Sequence, residues 1–208
     1  MFRNTMACLS LLLVSASEVA WAHSPTNPAV SSVTITRSNS RNFGGPFSLI
    51  DQNGRARASV DFHGTPMLIY FGYTNCPDTC PLDAQTITNV VDVLDKRGVA
   101  IAPIFITVDP QRDTPARLKE FLSSFHPRFV GLTGPVDRVT KITTAYGASG
   151  AGDQVAKADG SYDVLHTAIA YLMGRNGEFL DVIHLKDDPD EIAVDIADLV
   201  DKADHPRQ

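Results

Sequence analysis

Hydrophobic residues along this chain fall into short blocks whose spacing changes between strand and helix periods. Residues 47–50 and 58–62 are apolar-rich arms around Asp51-Gln52-Asn53-Gly54, and the Asn-Gly pair predicts a hairpin. Residues 67–70 form a continuous apolar run suited to a strand buried on both faces. Ile87, Val90, Val91 and Leu94 stand at i, i+3, i+4 and i+7, which predicts a helix with one buried face, ended by Gly98. Residues 100–108 predict a second buried strand. Leu118, Phe121, Leu122 and Phe125 repeat the helical spacing behind the start signal Asp113-Thr114-Pro115. A short strand over 129–132 and a helix over 135–146 follow, and 147–161, rich in Gly, Ala and Asp, reads as an exposed loop. Residues 168–173 and 178–185 flank Asn176-Gly177 as a second hairpin. Ile192, Ile196 and Leu199 then place a last helix on the core, with acidic residues where its dipole favours them.

That order is a hairpin, strand–helix–strand–helix, a hairpin and a closing helix. Strands separated by helices of crossover length pair in parallel, with helices on both faces. The expected fold is α/β and thioredoxin-like: a central mixed sheet with helices on both faces and an added N-terminal hairpin. There is no internal repeat and no second domain boundary.

The first residues break the pattern. Arg3 precedes a compact apolar stretch over 6–17, and Ala20-Trp21-Ala22 supplies small residues around a cleavage point. We expect residues 1–22 to be a signal peptide, 23–43 a flexible polar arm, and 44–204 the folded domain. The apolar stretch is short and is followed by Glu18, so membrane anchoring is not favoured. Export places the chain in a periplasm-like, oxidising compartment. The net charge is −6, with no basic tract to follow a phosphate backbone, which argues against nucleic acid as a partner.

Composition then turns attention to sulfur. Of three cysteines, Cys8 leaves with the leader, while Cys76 and Cys80 remain in Tyr70-Phe71-Gly72-Tyr73-Thr74-Asn75-Cys76-Pro77-Asp78-Thr79-Cys80-Pro81. This segment follows a buried strand and enters a helix, with Pro81 in its first turn. Amides at a helix start lower thiol pKa values, and thiolates select copper(I) or zinc over hard cations. Three intervening residues let two sulfurs converge on one metal ion, yet a structural disulfide remains open on spacing alone. Two sulfurs rarely complete a site. Of the six histidines, His166, where the long loop enters a hydrophobic strand, is the candidate third ligand. His63, His126, His184 and His205 read as turn, helix-end, strand-surface and tail residues, and His23 depends on the cleavage site. Asp109-Pro110-Gln111-Arg112-Asp113 lies at the strand edge where α/β ligand sites gather, though a turn with a helix cap explains it equally. Asp187-Asp188-Pro189-Asp190-Glu191 reads as a solvated helix start rather than a calcium loop.

These pieces together resemble the Sco/SenC family of copper-binding thioredoxin-fold proteins. The matching segments are Cys76-Pro77-Asp78-Thr79-Cys80-Pro81, Thr107-Val108-Asp109-Pro110-Gln111-Arg112-Asp113-Thr114-Pro115, Phe129-Val130-Gly131-Leu132-Thr133-Gly134 and His166-Thr167-Ala168-Ile169-Ala170-Tyr171-Leu172-Met173, in that order. The resemblance implies a copper site, Cu(I) or Cu(II), from Cys76, Cys80 and His166. It also implies a role in delivering copper to, or reducing the thiols of, the binuclear centre of cytochrome c oxidase. Expected partners are that enzyme's copper-bearing subunit or another copper chaperone, and a thiol reductant. Leu165 stands where family members often carry an acidic residue before the histidine, and Asp163 is the nearest substitute.

The leading expectation is an exported copper metallochaperone with an exposed site that an incoming thiolate can attack. The alternative is a thiol-disulfide reductase using Cys76 and Cys80 alone. A peroxidase is disfavoured because no proline lies between Met67 and Cys76, and a structural zinc module because three ligands are too few. Cleavage after Ala22 would remove Trp21, the single tryptophan. The exported protein is therefore expected to show tyrosine emission alone, and a tryptophan band in its fluorescence spectrum would show that the leader is retained.

Overall fold

The computed structural model describes residues 43–148, 154–157, 162–164 and 169–206. The N-terminal hairpin joins β1 (Ser48–Asp51) to β2 (Ala56–Ala58). The Asp51 carboxylate accepts from the Asn53 and Arg55 amides, at 2.9 Å each, and thereby closes the turn. Its second arm lies earlier than the expected 58–62 and is shorter: Ser59–Phe62 forms a 3-10 helix that buries Phe62, its ring 6.1 Å from that of Phe47.

The next elements are β3 (Met67–Gly72), α1 (Thr79–Lys96), β4 (Ala102–Thr107), α2 (Pro115–Leu122), β5 (Val130–Thr133) and α3 (Val136–Tyr146). Gly98, at φ 75°, ends the first helix in the left-handed region, and the Val99 amide returns to the Leu94 carbonyl at 2.9 Å. Thr114 caps α2 by accepting from the Arg117 amide at 3.3 Å. That helix stops at Leu122, so Phe125 lies beyond it and continues a file of rings from Phe105 through Phe121 to Phe129.

The chain closes with β6 (Gln154–Ala156), β7 (Tyr162–Val164), β8 (Ile169–Met173), β9 (Phe179–His184) and α4 (Pro189–Asp204). The stretch expected as an exposed loop over 147–161 therefore contains a strand. Gln154–Ala156 pairs antiparallel with Tyr162–Val164 in a small sheet of its own. Val155 and Ala156 alternate weakly in a background of Gly, Ala and Asp, so the period-two signal was too short to stand out.

The main sheet has seven strands in the order β2-β1-β5-β4-β3-β8-β9. The β3, β4 and β5 strands run parallel, while β1, β8 and β9 pair antiparallel at its sides. This is the expected mixed sheet. Adjacent residues of β3 point to opposite faces. Tyr70 meets Phe105 and the Asp83 side chain of α1, whereas Phe71 meets Tyr146 of α3 and Tyr171. Helix α4 packs on α1, and α2 packs on β5, so three helices cover the Tyr70 face and α3 the other. Phe43 joins the Phe71 side, its ring 5.9 Å from Tyr171 and 5.1 Å from Phe179.

Gly131 shows how close the α2 layer lies. A Cβ there would stand 2.5 Å from Leu122 Cδ1 and 3.4 Å from Leu118 Cβ. Gly131→Ala is expected to destabilise the fold by about 1–3 kcal/mol through overpacking. A urea-unfolding midpoint equal to that of the wild type would contradict this packing.

Candidate metal centre

The cysteine loop leaves β3 at Gly72 and enters α1 at Thr79. Cys80 is the second residue of the helix, and Pro81 occupies the first turn, as expected. Cys76 lies in the preceding loop, where its amide donates to the Tyr73 carbonyl at 3.3 Å. The Cys80 amide points back at the Cys76 sulfur, 3.4 Å away. A helix-start amide therefore serves the other cysteine's sulfur, and the two thiols share one small space.

Both thiols are buried: Cys76 is 8% exposed and Cys80 0%. The expected exposed site is thus a sheltered one, for a definite reason. Cys80 lies beneath the end of β3, so that a Cβ on Gly72 would come within 3.0 Å of its sulfur and of Phe105 Cζ, and within 2.7 Å of Tyr70 Cε1. Glycine at position 72 makes room for the sulfur. The electrostatics also differ from the expectation of a lowered pKa. Its hydrogen bond with Cys76, and then burial, push the Cys80 thiol well above its ordinary range, against a smaller opposing effect of the Tyr73 backbone and the Tyr70 hydroxyl. The neighbouring thiol and burial together override the thiolate preference expected at a helix start.

Behind Cys80, the Tyr70 hydroxyl donates to Asp83 Oδ2 at 2.8 Å inside the core. Burial, followed by the neighbouring Cys80 and Asp83, raises the Tyr70 pKa, so the phenol stays protonated. In sequence these two residues look like one more aromatic in a strand and one more acid on a helix, and nothing in their spacing signals the pairing.

Asp109 and Asp113 resolve the ambiguity at the end of β4. They are not merely a turn, being 1% and 0% exposed. Asp113 accepts from Thr107 Oγ1 at 2.6 Å, Thr74 Oγ1 at 2.6 Å and the Thr74 amide at 3.0 Å. It therefore fixes the cysteine loop two residues before Cys76. Asp109 is ion-paired with Arg112 and accepts from the Tyr162 hydroxyl at 2.9 Å. Thr74, Thr107 and Tyr162 carried no sequence signal of their own.

His166, with Leu165, lies outside the described residues, as does the Asp163 side chain. Among the described residues, no group of three or more His, Cys, Asp and Glu could hold a metal ion. His63, His184 and His205 are exposed, and His126 stands 3.7 Å from Asp92 and 3.8 Å from Asp95. Asp188 caps α4 by accepting from the Asp190 amide at 2.9 Å, which agrees with a helix start. No helix among the described residues is long and apolar enough to cross a membrane.

Residues 35–201 match the SCO1/SenC family model. The chain belongs to the SCO1/SenC family. Among SCO relatives, a SCO2-like protein of Rickettsia felis is 40% identical over 168 residues, covering 81% of this chain and 82% of that protein. The solved structure of Bradyrhizobium japonicum ScoI with copper bound is 43% identical and superimposes with a TM-score of 0.68, covering 76% of this chain and 99% of that one. BsSco, described as a member of the Sco family of cytochrome c oxidase assembly proteins with a disulfide switch, is 25% identical with a TM-score of 0.60, covering 76% of this chain and 94% of that one. The SCO1/SenC fold is thus the α/β, thioredoxin-like arrangement expected, and copper is the metal held in the Bradyrhizobium Sco structure.

Burial, followed by the smaller opposing effect of the donated hydrogen bonds, leaves the Asp113 pKa raised. A raised carboxyl pKa favours the protonated form in the fold. Its contribution to stability is therefore full below the unfolded value of about 3.9 and is lost as pH rises through the higher folded value. The stability advantage of wild type over Asp113→Asn is expected to narrow as pH rises from about 3.5 to about 7. Urea unfolding of both proteins across that range would refute the argument if the gap widened.

Proposed function

We propose that this protein is an exported, periplasmic copper carrier that binds Cu(I) through Cys76, Cys80 and His166. Its cargo goes to the binuclear copper centre of cytochrome c oxidase, on that enzyme's copper-bearing subunit, directly or by exchange with another copper chaperone. A thiol reductant keeps the two cysteines reduced in the oxidising compartment.

The observation that carries this reading is the pair of thiols sharing one space at the start of α1, with the Cys80 amide 3.4 Å from the Cys76 sulfur. The donors are soft, which fits copper(I) and disfavours hard cations. The chain's own connectivity supports His166 as the third donor. Val164 is buried in β7 two residues before it, and Ile169 opens β8 three residues after it. In β8, Ala170 pairs with Tyr70, two residues before β3 ends at Gly72 and the cysteine loop begins. Each residue of extended chain spans at most about 3.6 Å, so the His166 backbone stays within about 11 Å of Ile169. Family membership, and the copper held by the Bradyrhizobium Sco structure, support the same metal.

Cargo transfer then proceeds by ligand exchange. Cys76 sits in a loop and retains some exposure, while Cys80 is sealed under Gly72 and Phe105. An incoming thiolate meets the Cys76 side first, and Cys80 is the last ligand to leave.

The hydrogen bond between the Cys80 and Cys76 thiols also favours a second reading, thiol-disulfide reduction of the target's cysteines, because neighbouring thiols can close a disulfide reversibly. The two readings part at the histidine. Anaerobic titration of the reduced protein is expected to show uptake of one equivalent of Cu(I), and the Cu(II) form a sulfur-to-copper charge-transfer band with a matching EPR signal. Cys76→Ser and Cys80→Ser are expected to abolish both signals, and His166→Ala to weaken binding sharply. Reductase activity retained by His166→Ala alongside lost copper binding would favour the redox reading. Wild-type protein giving neither Cu(I) uptake nor charge transfer would remove the copper reading.

A further inference from the structure

The β6–β7 hairpin pairs only with itself, outside the seven-stranded sheet. Its strand β7 begins at Tyr162, four residues before His166 in sequence, so whatever holds Tyr162 fixes where that segment starts. Three interactions hold it. The Tyr162 hydroxyl donates to Asp109 Oδ1 at 2.9 Å. Arg112 Nη1 donates to the Tyr162 carbonyl at 3.2 Å. The Arg112 guanidinium lies 3.8 Å from the centroid of the Tyr162 ring. Asp109 and Arg112 are themselves ion-paired, so side chain, backbone and ring of one tyrosine are gripped by one acid–base pair.

The same pair reaches the cysteine loop. The Arg112 guanidinium also stands 5.9 Å from the centroid of the Tyr73 ring. Asp113, the next residue, takes the Thr74 amide and hydroxyl. Asp109, Arg112 and Asp113 thus hold the approach to Cys76 and the approach to His166 from one short stretch at the end of β4.

We infer that Asp109, Arg112 and Tyr162 form a clamp that positions the histidine-bearing segment against the cysteine loop and so sets copper affinity without touching the metal. This rests on the copper reading above. An acid–base pair that only capped α2 would have no reason to bond both ends of Tyr162, since Thr114 already caps that helix. The clamp is built from chemistry that is hard to replace piecemeal. Lysine at 112 would keep a charge for Asp109 but lose the planar fork that reaches the Tyr162 carbonyl while stacking on its ring. Phenylalanine at 162 would keep the stack and lose the bond to Asp109. In metal sites, groups that orient a ligand from outside the coordination sphere typically change affinity by about 10- to 100-fold.

The test is a Cu(I) competition titration against a chromophoric Cu(I) chelator, with reduced full-length protein. Tyr162→Ala and Arg112→Lys are each expected to weaken Cu(I) binding by about 10- to 100-fold, and Tyr162→Phe by less. Combined with His166→Ala, Tyr162→Ala is expected to cause no further loss, because Tyr162 acts through that residue. In the metal-free protein, backbone amides of residues 162–164 are expected to exchange faster in Arg112→Lys than in wild type. Equal losses from Tyr162→Ala with and without His166 would overturn the clamp, since Tyr162 would then act on the fold or the cysteines. So would wild-type affinity in Tyr162→Ala and Arg112→Lys while His166→Ala binds weakly, and that outcome would leave the copper reading standing. Unchanged affinity in His166→Ala itself would remove both. Should Tyr162→Ala fail to fold, Tyr162→Phe, which keeps the ring packing, decides the matter by the same comparison.

Discussion

Everything at the working edge of this molecule depends on two carboxylates buried at the end of a central strand. A buried carboxylate without partners is costly, and a well-bonded one dictates the geometry of whatever supplies the donors. Asp113 takes three hydrogen bonds from two threonines, one in the strand below it and one in the cysteine loop beside it. Asp109 takes a guanidinium and a phenol. Asp113 is satisfied only when β4 and the loop before Cys76 meet, and Asp109 only when strand β7 brings Tyr162 to the same edge. Satisfying two acids thereby orders three segments distant in sequence.

The cysteines sit within that frame in unequal settings. Helix starts are usually expected to favour thiolates. Here the sulfur nearest the helix is hydrogen-bonded to the other thiol and is also the one most deeply covered, and those two effects together disfavour its thiolate. Cys80 is consequently held as a thiol, backed by a phenol and a carboxylic side chain in the core. The glycine at 72 is the geometric counterpart of this burial, since any side chain there would occupy the sulfur's space.

Much of this was legible from sequence, and the limits follow from physics. Long apolar blocks such as 67–70 and 100–108 announced the buried parallel strands, because strands covered on both faces tolerate little else. The helical spacing of Ile87, Val90, Val91 and Leu94 located α1, whose buried face includes those residues. The Cys76–Cys80 pair was visible because two sulfurs with three residues between them at a strand-to-helix turn suit metal or disulfide chemistry. What escaped was whatever relied on tertiary contact rather than local period. The stretch expected as the second arm of the first hairpin became a 3-10 turn that buries Phe62. The β6–β7 hairpin hid in a Gly- and Ala-rich stretch. Tyr162, Thr74 and Thr107 gained their roles only when three segments met around the two acids. The segment 109–113 was recognisable as a strand-edge site or a cap, and its residues turned out to serve the fold and the loop at once.

The unequal thiols do not by themselves separate a carrier from a reductase, because both chemistries profit from one accessible and one sheltered sulfur. A reductase needs nothing more than the pair, whose exchange is governed by thiolate character and access. A carrier needs a further donor, since two sulfurs leave the ion open to loss as well as to transfer. The bonds to the Tyr162 hydroxyl and carbonyl add nothing to the cysteine loop, which Thr74 and Asp113 already hold. Their expense in buried charge is intelligible if the segment after β7 must be delivered to a fixed place. On the proposed copper reading, the charged pair at Asp109 and Arg112 serves a donor that a purely redox site would not use.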